Sequence, residues 1–107
     1  MSRLPLDIQR LVEDGDFLVS AHADRKLASD RIVLREVLEG LSGALVVEDY
    51  PAYPKGPCVL LLQSDLARKP LHILWGLRKN TTRPAVVVTA YRPDPLKWSM
   101  DFLLRIK

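Results

Sequence analysis

His22 stands in the segment S-A-H-A-D-R-K. On a helix, Arg25 and Lys26 lie three and four places further on, so one imidazole and two cations share a side. Cations beside a neutral imidazole lower its pKa and leave it able to take a proton near neutral pH. The plainer role for His22 is a hydrogen bond that orders the helix start. His72, in K-P-L-H-I, is either a second acid or base or a half-buried strand histidine. Tyr91 and Arg92 follow Thr89 and are suited to contacting a phosphate; otherwise they are a sheet-edge tyrosine with a wet hydroxyl and a solvated arginine. The candidates for acid–base work are therefore His22, His72 and Tyr91, and those for holding an anion are Arg25, Lys26 and Arg92.

Other chemistries find less support. There is no Gly-rich phosphate loop, no G-x-S-x-G elbow and no H-E-x-x-H. Two histidines fifty residues apart need a distant carboxylate to complete a metal site, and nothing marks one, so neither a metal nor a cofactor is expected. The lone Cys58 opens a strand with no adjacent histidine and reads as a small buried hydrophobe. It also excludes an internal disulfide.

The elements that position these residues change character midway. Leu4, Ile8, Leu11 and Val12 recur at helical spacing, and Gly15 closes that segment. Ser20 is placed to cap a second helix bearing Ala23 and Leu27 on one face. A third runs from Val33 to Leu41, with Gly43 suited to its end. From Ala44 the pattern turns to strands at 44–50, 58–64, 70–77 and 85–92, joined by connections too short for parallel crossovers. Asp94-Pro95 then signals a last helix whose apolar face is Leu96, Met100, Leu103 and Leu104, with Trp98 as a core plug. The expected fold is α+β: N-terminal helices packed on a four-stranded antiparallel β-meander, with a C-terminal helix. It forms a single domain over residues 1–107, in which 1–15 is either packed or a peripheral helical arm.

Alternation places Leu71, Ile73, Trp75 and Leu77 on the core face of the third strand and His72 on the other. In the fourth strand both faces carry aliphatics, so its orientation stays open. If Val86, Val88 and Ala90 point inward, Thr89 and Tyr91 join His72 on an open sheet face.

One hundred and seven residues, 48% hydrophobic and 27% charged, make a small globular chain and exclude a multidomain enzyme. The apolar runs are too short to span a bilayer, and the first twenty residues lack a signal-peptide core. A cytoplasmic protein without a membrane partner is expected. The formal charge of +3 hides an asymmetry: residues 1–54 carry −4 and residues 55–107 carry +7. That split permits an anionic partner such as nucleic acid, or reflects solubilising charges at sheet turns.

The elements Ser20-x-His22-Ala23, Arg25–Leu27, Ile32…Val37, Lys69–Ile73, Thr89–Pro95 and Lys97-Trp98 occur in that order. Together they resemble a family of small prokaryotic proteins known as a domain of unknown function. Its pattern is S-x-H-A-x-x-R-M-x-x-R-G-I, then G-R-P-L-H-V, then T-x-Y-x-P-x-x-x-x-W. The resemblance covers about residues 18–102, with His22, His72 and Tyr91 matching family positions. Such proteins are similar in predicted fold to the RelE- and BrnT-like ribonuclease toxins. That likeness implies metal-independent RNA cleavage: a base assists the ribose 2′-hydroxyl, Lys or Arg neutralises the phosphorane-like charge, and an acid protonates the leaving oxygen. It also implies RNA as substrate and a small antitoxin protein as partner.

The chain departs from the pattern at one place. Aligned on Ile32, the family's first arginine falls on Lys26, its second on Asp30 and its glycine on Arg31. A carboxylate where a cation is usual reverses the local sign; either the anion contact is altered or Arg31 replaces it by a one-residue slip. Two other expectations follow: a non-catalytic nucleic-acid- or protein-binding module on the same scaffold, or a small-molecule enzyme using the same histidines, which a ligand pocket under the sheet would favour.

Overall fold

The computed structural model of the chain describes residues 3–106. Its elements are α1 (Leu4–Glu13), β1 (Phe17–Val19), α2 (Ala21–Ser29), α3 (Leu34–Glu39) with a 3-10 turn at Gly40–Gly43, β2 (Leu45–Tyr50), β3 (Cys58–Ser64), β4 (Pro70–Gly76) and β5 (Ala85–Tyr91). The strands form one mixed sheet in the order β1-β5-β4-β3-β2. β2 to β5 make the expected antiparallel meander, and β1 adds a fifth strand, parallel to β5. Three residues are too few for alternation to announce a strand. β1 is held instead by its neighbours: Ala85 N–H donates to the Asp16 carbonyl and Ser20 N–H to that of Val87.

The helices cover one face. Leu4 and Ile8 of α1, Ala23 and Leu27 of α2, and Val37 of α3 pack against Val59, Leu61, Leu71, Ile73, Trp75, Ala85, Val87 and Ala90 of the sheet. α1 is thus part of the core rather than a detached arm. Burying this much apolar surface is the main favourable term in folding. One polar group lies within it. Gln63, at the end of β3, is 2% exposed. Its amide donates to the Val37 carbonyl at 2.7 Å and accepts from the Trp75 indole N–H at 2.9 Å. This side chain ties α3 to the sheet and satisfies a buried tryptophan.

Alternation in β5 fails at one residue. Thr89 pairs with Leu74 and Val87 with Trp75, so Val88 stands outside the ladder as a bulge. The shift lets Ala85, Val87 and Ala90 all face the helices. It sends Thr89 and Tyr91 to the face that carries His72. Neither of the two alternating sets read from the sequence therefore survives whole.

The expected C-terminal helix is absent. Residues 93–106 form turns and one isolated bridge, Trp98↔Arg105. Asp94 caps a turn rather than a helix: its carboxylate accepts from Leu96 N–H and its carbonyl from Lys97 N–H. Ser99 and Asp101 then bond to the backbone of Leu103 and Leu104, and Phe102 takes a positive φ of 61°. Such local side-chain bonds compete with helix formation. Leu96 and Met100, expected on the apolar stripe, are 84% and 98% exposed.

Replacing Gln63 by leucine leaves the Trp75 N–H and the Val37 carbonyl without partners inside the core. The Gln63→Leu variant should lose about 2–4 kcal/mol in urea unfolding; a loss below about 0.5 kcal/mol would show that the pair contributes nothing.

Candidate functional site

Ser20 fixes the first candidate group. Its hydroxyl accepts from Ala23 N–H, capping α2, and donates to the Val88 carbonyl, each at 3.0 Å. The bulge is thereby bonded to the helix start. Two residues after Ser20, His22 projects into solvent and its Nε2 lies 2.9 Å from Thr89 Oγ1. Arg25 is exposed and Lys26 half-exposed, one turn further along α2. When Nε2–H donates to Thr89, Nδ1 keeps a lone pair toward water.

His72 has the opposite environment. It is fully buried, on the sheet face away from the helices. The face expected to be open is closed here by the C-terminal segment. Nε2 lies 2.8 Å from the Phe102 carbonyl and Nδ1 lies 3.2 Å from the Tyr91 hydroxyl. A carbonyl oxygen only accepts, so Nε2 carries the hydrogen and Nδ1 accepts from Tyr91. The Trp98 and Tyr91 rings meet the imidazole edge-on, at centroid distances of 4.4 and 5.3 Å. Burial pushes the His72 pKa down, with the Phe102 carbonyl and Glu48 opposing it more weakly. Burial likewise raises that of Tyr91. The pair is a neutral imidazole and a protonated phenol, each spending its hydrogen-bonding capacity on the fold.

A clamp holds the cover down. Arg105 makes two bonds to the Glu48 carboxylate, at 2.7 and 2.9 Å, and its guanidinium lies 4.7 Å from the Trp98 ring centroid. The Tyr50 hydroxyl also bonds Glu48. Glu48 is held below its ordinary pKa, first by the Arg105 bond. Trp98 is buried as expected, but against His72 and not as part of a helix. Glu48, Tyr50 and Arg105 escaped the sequence reading. Glu48 and Arg105 are 57 residues apart, and neither lies in a motif.

Arg92 is committed as well. Its guanidinium donates to the Asp30 carbonyl, the Asp65 carboxylate and the Arg31 carbonyl, and its backbone N–H donates to the Asp30 carboxylate. Asp65 in turn accepts from Ala67 and Lys69 N–H groups in the β3–β4 turn. Those bonds, with that of Lys69 foremost, lower its pKa. Asp30, the residue of inverted sign, is accordingly the joint between α2 and the end of β5. It also lies 3.9 Å from Lys26.

The residues marked in the sequence thus fall into two groups. His72, Tyr91 and Arg92 are bonded within the fold, whereas His22, Arg25 and Lys26 face solvent along α2. Thr89 and Tyr91, the partners of the two histidines, are two residues apart on one strand, about 7 Å. Among the described residues, no group of three or more His, Cys, Asp or Glu side chains gathers to hold a metal ion. No helix of the described residues is long and apolar enough to cross a membrane.

A buried, neutral His72 gives stability a definite pH dependence. Its folded pKa lies below the unfolded value, so its contribution is present above about pH 6.5 and is lost as pH falls through the folded pKa. The urea midpoint should decline between about pH 7.5 and 5.5. In His72→Phe the protein should be less stable throughout and nearly flat over that window. An equally steep decline in the variant would assign the effect to another group.

No curated protein and no solved structure is significantly similar to the chain. A family model does match, over residues 19–92. The match runs from the last residue of β1 to Arg92, so it contains every candidate side chain named above and excludes α1, Trp98 and Arg105. By that extent, the chain belongs to the family described as domain of unknown function DUF4258.

Proposed function

We propose that this domain is a metal-independent ribonuclease acting from the α2 edge of the sheet, in the manner of a RelE- or BrnT-like toxin. The observation that carries the reading is His22: an exposed imidazole, oriented by Thr89, with Arg25 and Lys26 one turn away. Three helices ahead of four consecutive antiparallel strands support the likeness in fold. In the proposed reaction, His22 Nδ1 takes the proton of a ribose 2′-hydroxyl. The 2′-oxygen bonds to the adjacent phosphorus as the bond to the 5′-oxygen breaks. Arg25 and Lys26 neutralise the charge on the non-bridging oxygens, and water protonates the leaving 5′-oxygen. The products are a 2′,3′-cyclic phosphate and a 5′-hydroxyl. A small antitoxin protein, and a cytoplasmic site of action, belong to the same proposal.

A second reading has its own support. Two of the three residues expected to do acid–base work, His72 and Tyr91, are held by the C-terminal cover, and Arg92 is held by Asp65 and Asp30. This favours a module that binds RNA without cutting it. A small-molecule enzyme built on both histidines gains nothing comparable, since the imidazoles are bonded to separate partners.

Incubating the full chain with single-stranded RNA in the presence of a chelator separates these readings. Cleavage to cyclic-phosphate ends, reduced about 10²- to 10⁴-fold in His22→Ala with the melting temperature unchanged, is the expected result. Expression should arrest bacterial growth in a His22-dependent way. RNA binding without cleavage would instead establish the binding module, and equal cleavage by His22→Ala would remove His22 from the mechanism.

A further inference from the structure

The C-terminal segment covers only one end of the outer sheet face. At the other end the β2–β3 and β4–β5 loops rise beside the sheet and are joined by their backbones. Leu77 N–H donates to the Pro57 carbonyl and Lys79 N–H to that of Lys55, both at 3.0 Å. Gly56 makes the approach possible. It has φ +128°, and a Cβ there would stand 2.0 Å from the Leu77 carbonyl oxygen. The joined loops wall a cavity of about 310 Å³, at the small end of the range for organic ligands, about 300–1,000 Å³.

The lining is specific in kind. Leu74, Val86 and Val88 form an aliphatic floor, and Tyr50 and Tyr53 contribute aromatic rings. Tyr53 is 51% exposed and has no role in the core. Lys55 and Arg78 also line the cavity, and neither forms an ion pair with any carboxylate of the described residues. Apolar floor, aromatic walls and unpaired cations together match a flat π-system that carries an anion. Neither histidine lines the space, but its lining borders the residue that bonds His22. Leu74 is the cross-strand partner of Thr89 and Val88 precedes it in the chain, so the lining ends next to the residue that bonds His22.

We propose that this cavity is a nucleotide subsite, taking one splayed base of a single-stranded RNA against Tyr53 and Tyr50 while a phosphate of the strand lies on Lys55 and Arg78. The assignment rests on the reading of the domain as RNA-directed, and it adds where the strand is gripped. A base seated in the cavity leads its ribose–phosphate chain along the sheet toward Thr89, His22, Arg25 and Lys26. Single strands fit and duplexes do not, because a base held by pairing and stacking cannot be splayed into the cavity.

Fluorescence anisotropy of a labelled single-stranded RNA oligonucleotide with the full chain tests this. Tyr53→Ala should weaken binding about fivefold to a hundredfold, the range of one lost base stack, and Tyr53→Phe should restore it. Lys55→Ala and Arg78→Ala should each weaken binding and reduce the slope of log affinity against log salt by about 0.7. The substituted side chains are exposed, so melting temperatures should not move, and Arg35→Ala on α3 serves as the charge control. A duplex of the same sequence should bind at least about tenfold more weakly. If the wild type binds single-stranded RNA and Tyr53→Ala binds it equally, the subsite is overturned while the RNA-directed reading stands. If the wild type neither binds nor cleaves RNA, both fall. A polyglutamate peptide that competes as well as the oligonucleotide, with the same loss in Tyr53→Ala, would assign the cavity to an acidic protein segment and overturn the proposal.

Discussion

One residue out of register in β5 decides how the outer face of this sheet is furnished. With Val88 excluded from the ladder, the small and aliphatic side chains of β5 all reach the helices, and Thr89 and Tyr91 turn outward together. A bulge leaves a main-chain group in need of a partner. Here the Ser20 hydroxyl donates to the Val88 carbonyl while also capping α2. One hydroxyl therefore sets the start of a helix, the position of the bulge and the placement of His22 beside Thr89. With Ala85 and Val87 held against the helices, unbroken alternation would turn Thr89 and Tyr91 inward as well, away from both histidines.

The two histidines show how environment separates residues that look alike in a sequence. His22 sits at a helix start just beyond the short β1, exposed and bonded to Thr89 of β5. His72 lies on a central strand flanked by β3 and β5, beneath Trp98 and Phe102. An imidazole with both nitrogens bonded and no water contact positions its neighbours; an exposed one with a free nitrogen is available for chemistry. The same division applies to the cations. Arg92 uses its planar fork to join three chain segments, whereas Arg25 has no such bonds.

Much of this was legible, and the failures have physical causes. The three helices and four meander strands follow from apolar periodicity and short connections, and the Ser20 cap from residue type alone. β1 was illegible because three residues carry no period and the strand it pairs with lies 68 positions away. The C-terminal helix was misread because Asp94-Pro95 opens a turn as readily as a helix. Ser99 and Asp101 then divert the following backbone to their own side chains. Of the candidate site, the identities of His22, Arg25 and Lys26 and their shared side of a helix were readable. The burial of His72 was not, because it depends on a distant segment brought back by Arg105 and Glu48. The inverted sign at Asp30 gains its explanation only from Arg92, 62 residues on.

The two indoles of the chain lie on opposite sides of the sheet. Trp75 is enclosed by the helical layer and bonded to Gln63, while Trp98 lies under Arg105 against His72. They therefore act as separate optical reporters. Loosening of the C-terminal cover would wet Trp98 alone and shift its emission to longer wavelength, whereas global unfolding would shift both. A mismatch between the fluorescence transition and loss of backbone ellipticity would show the outer layer lifting from an intact sheet, with no label added.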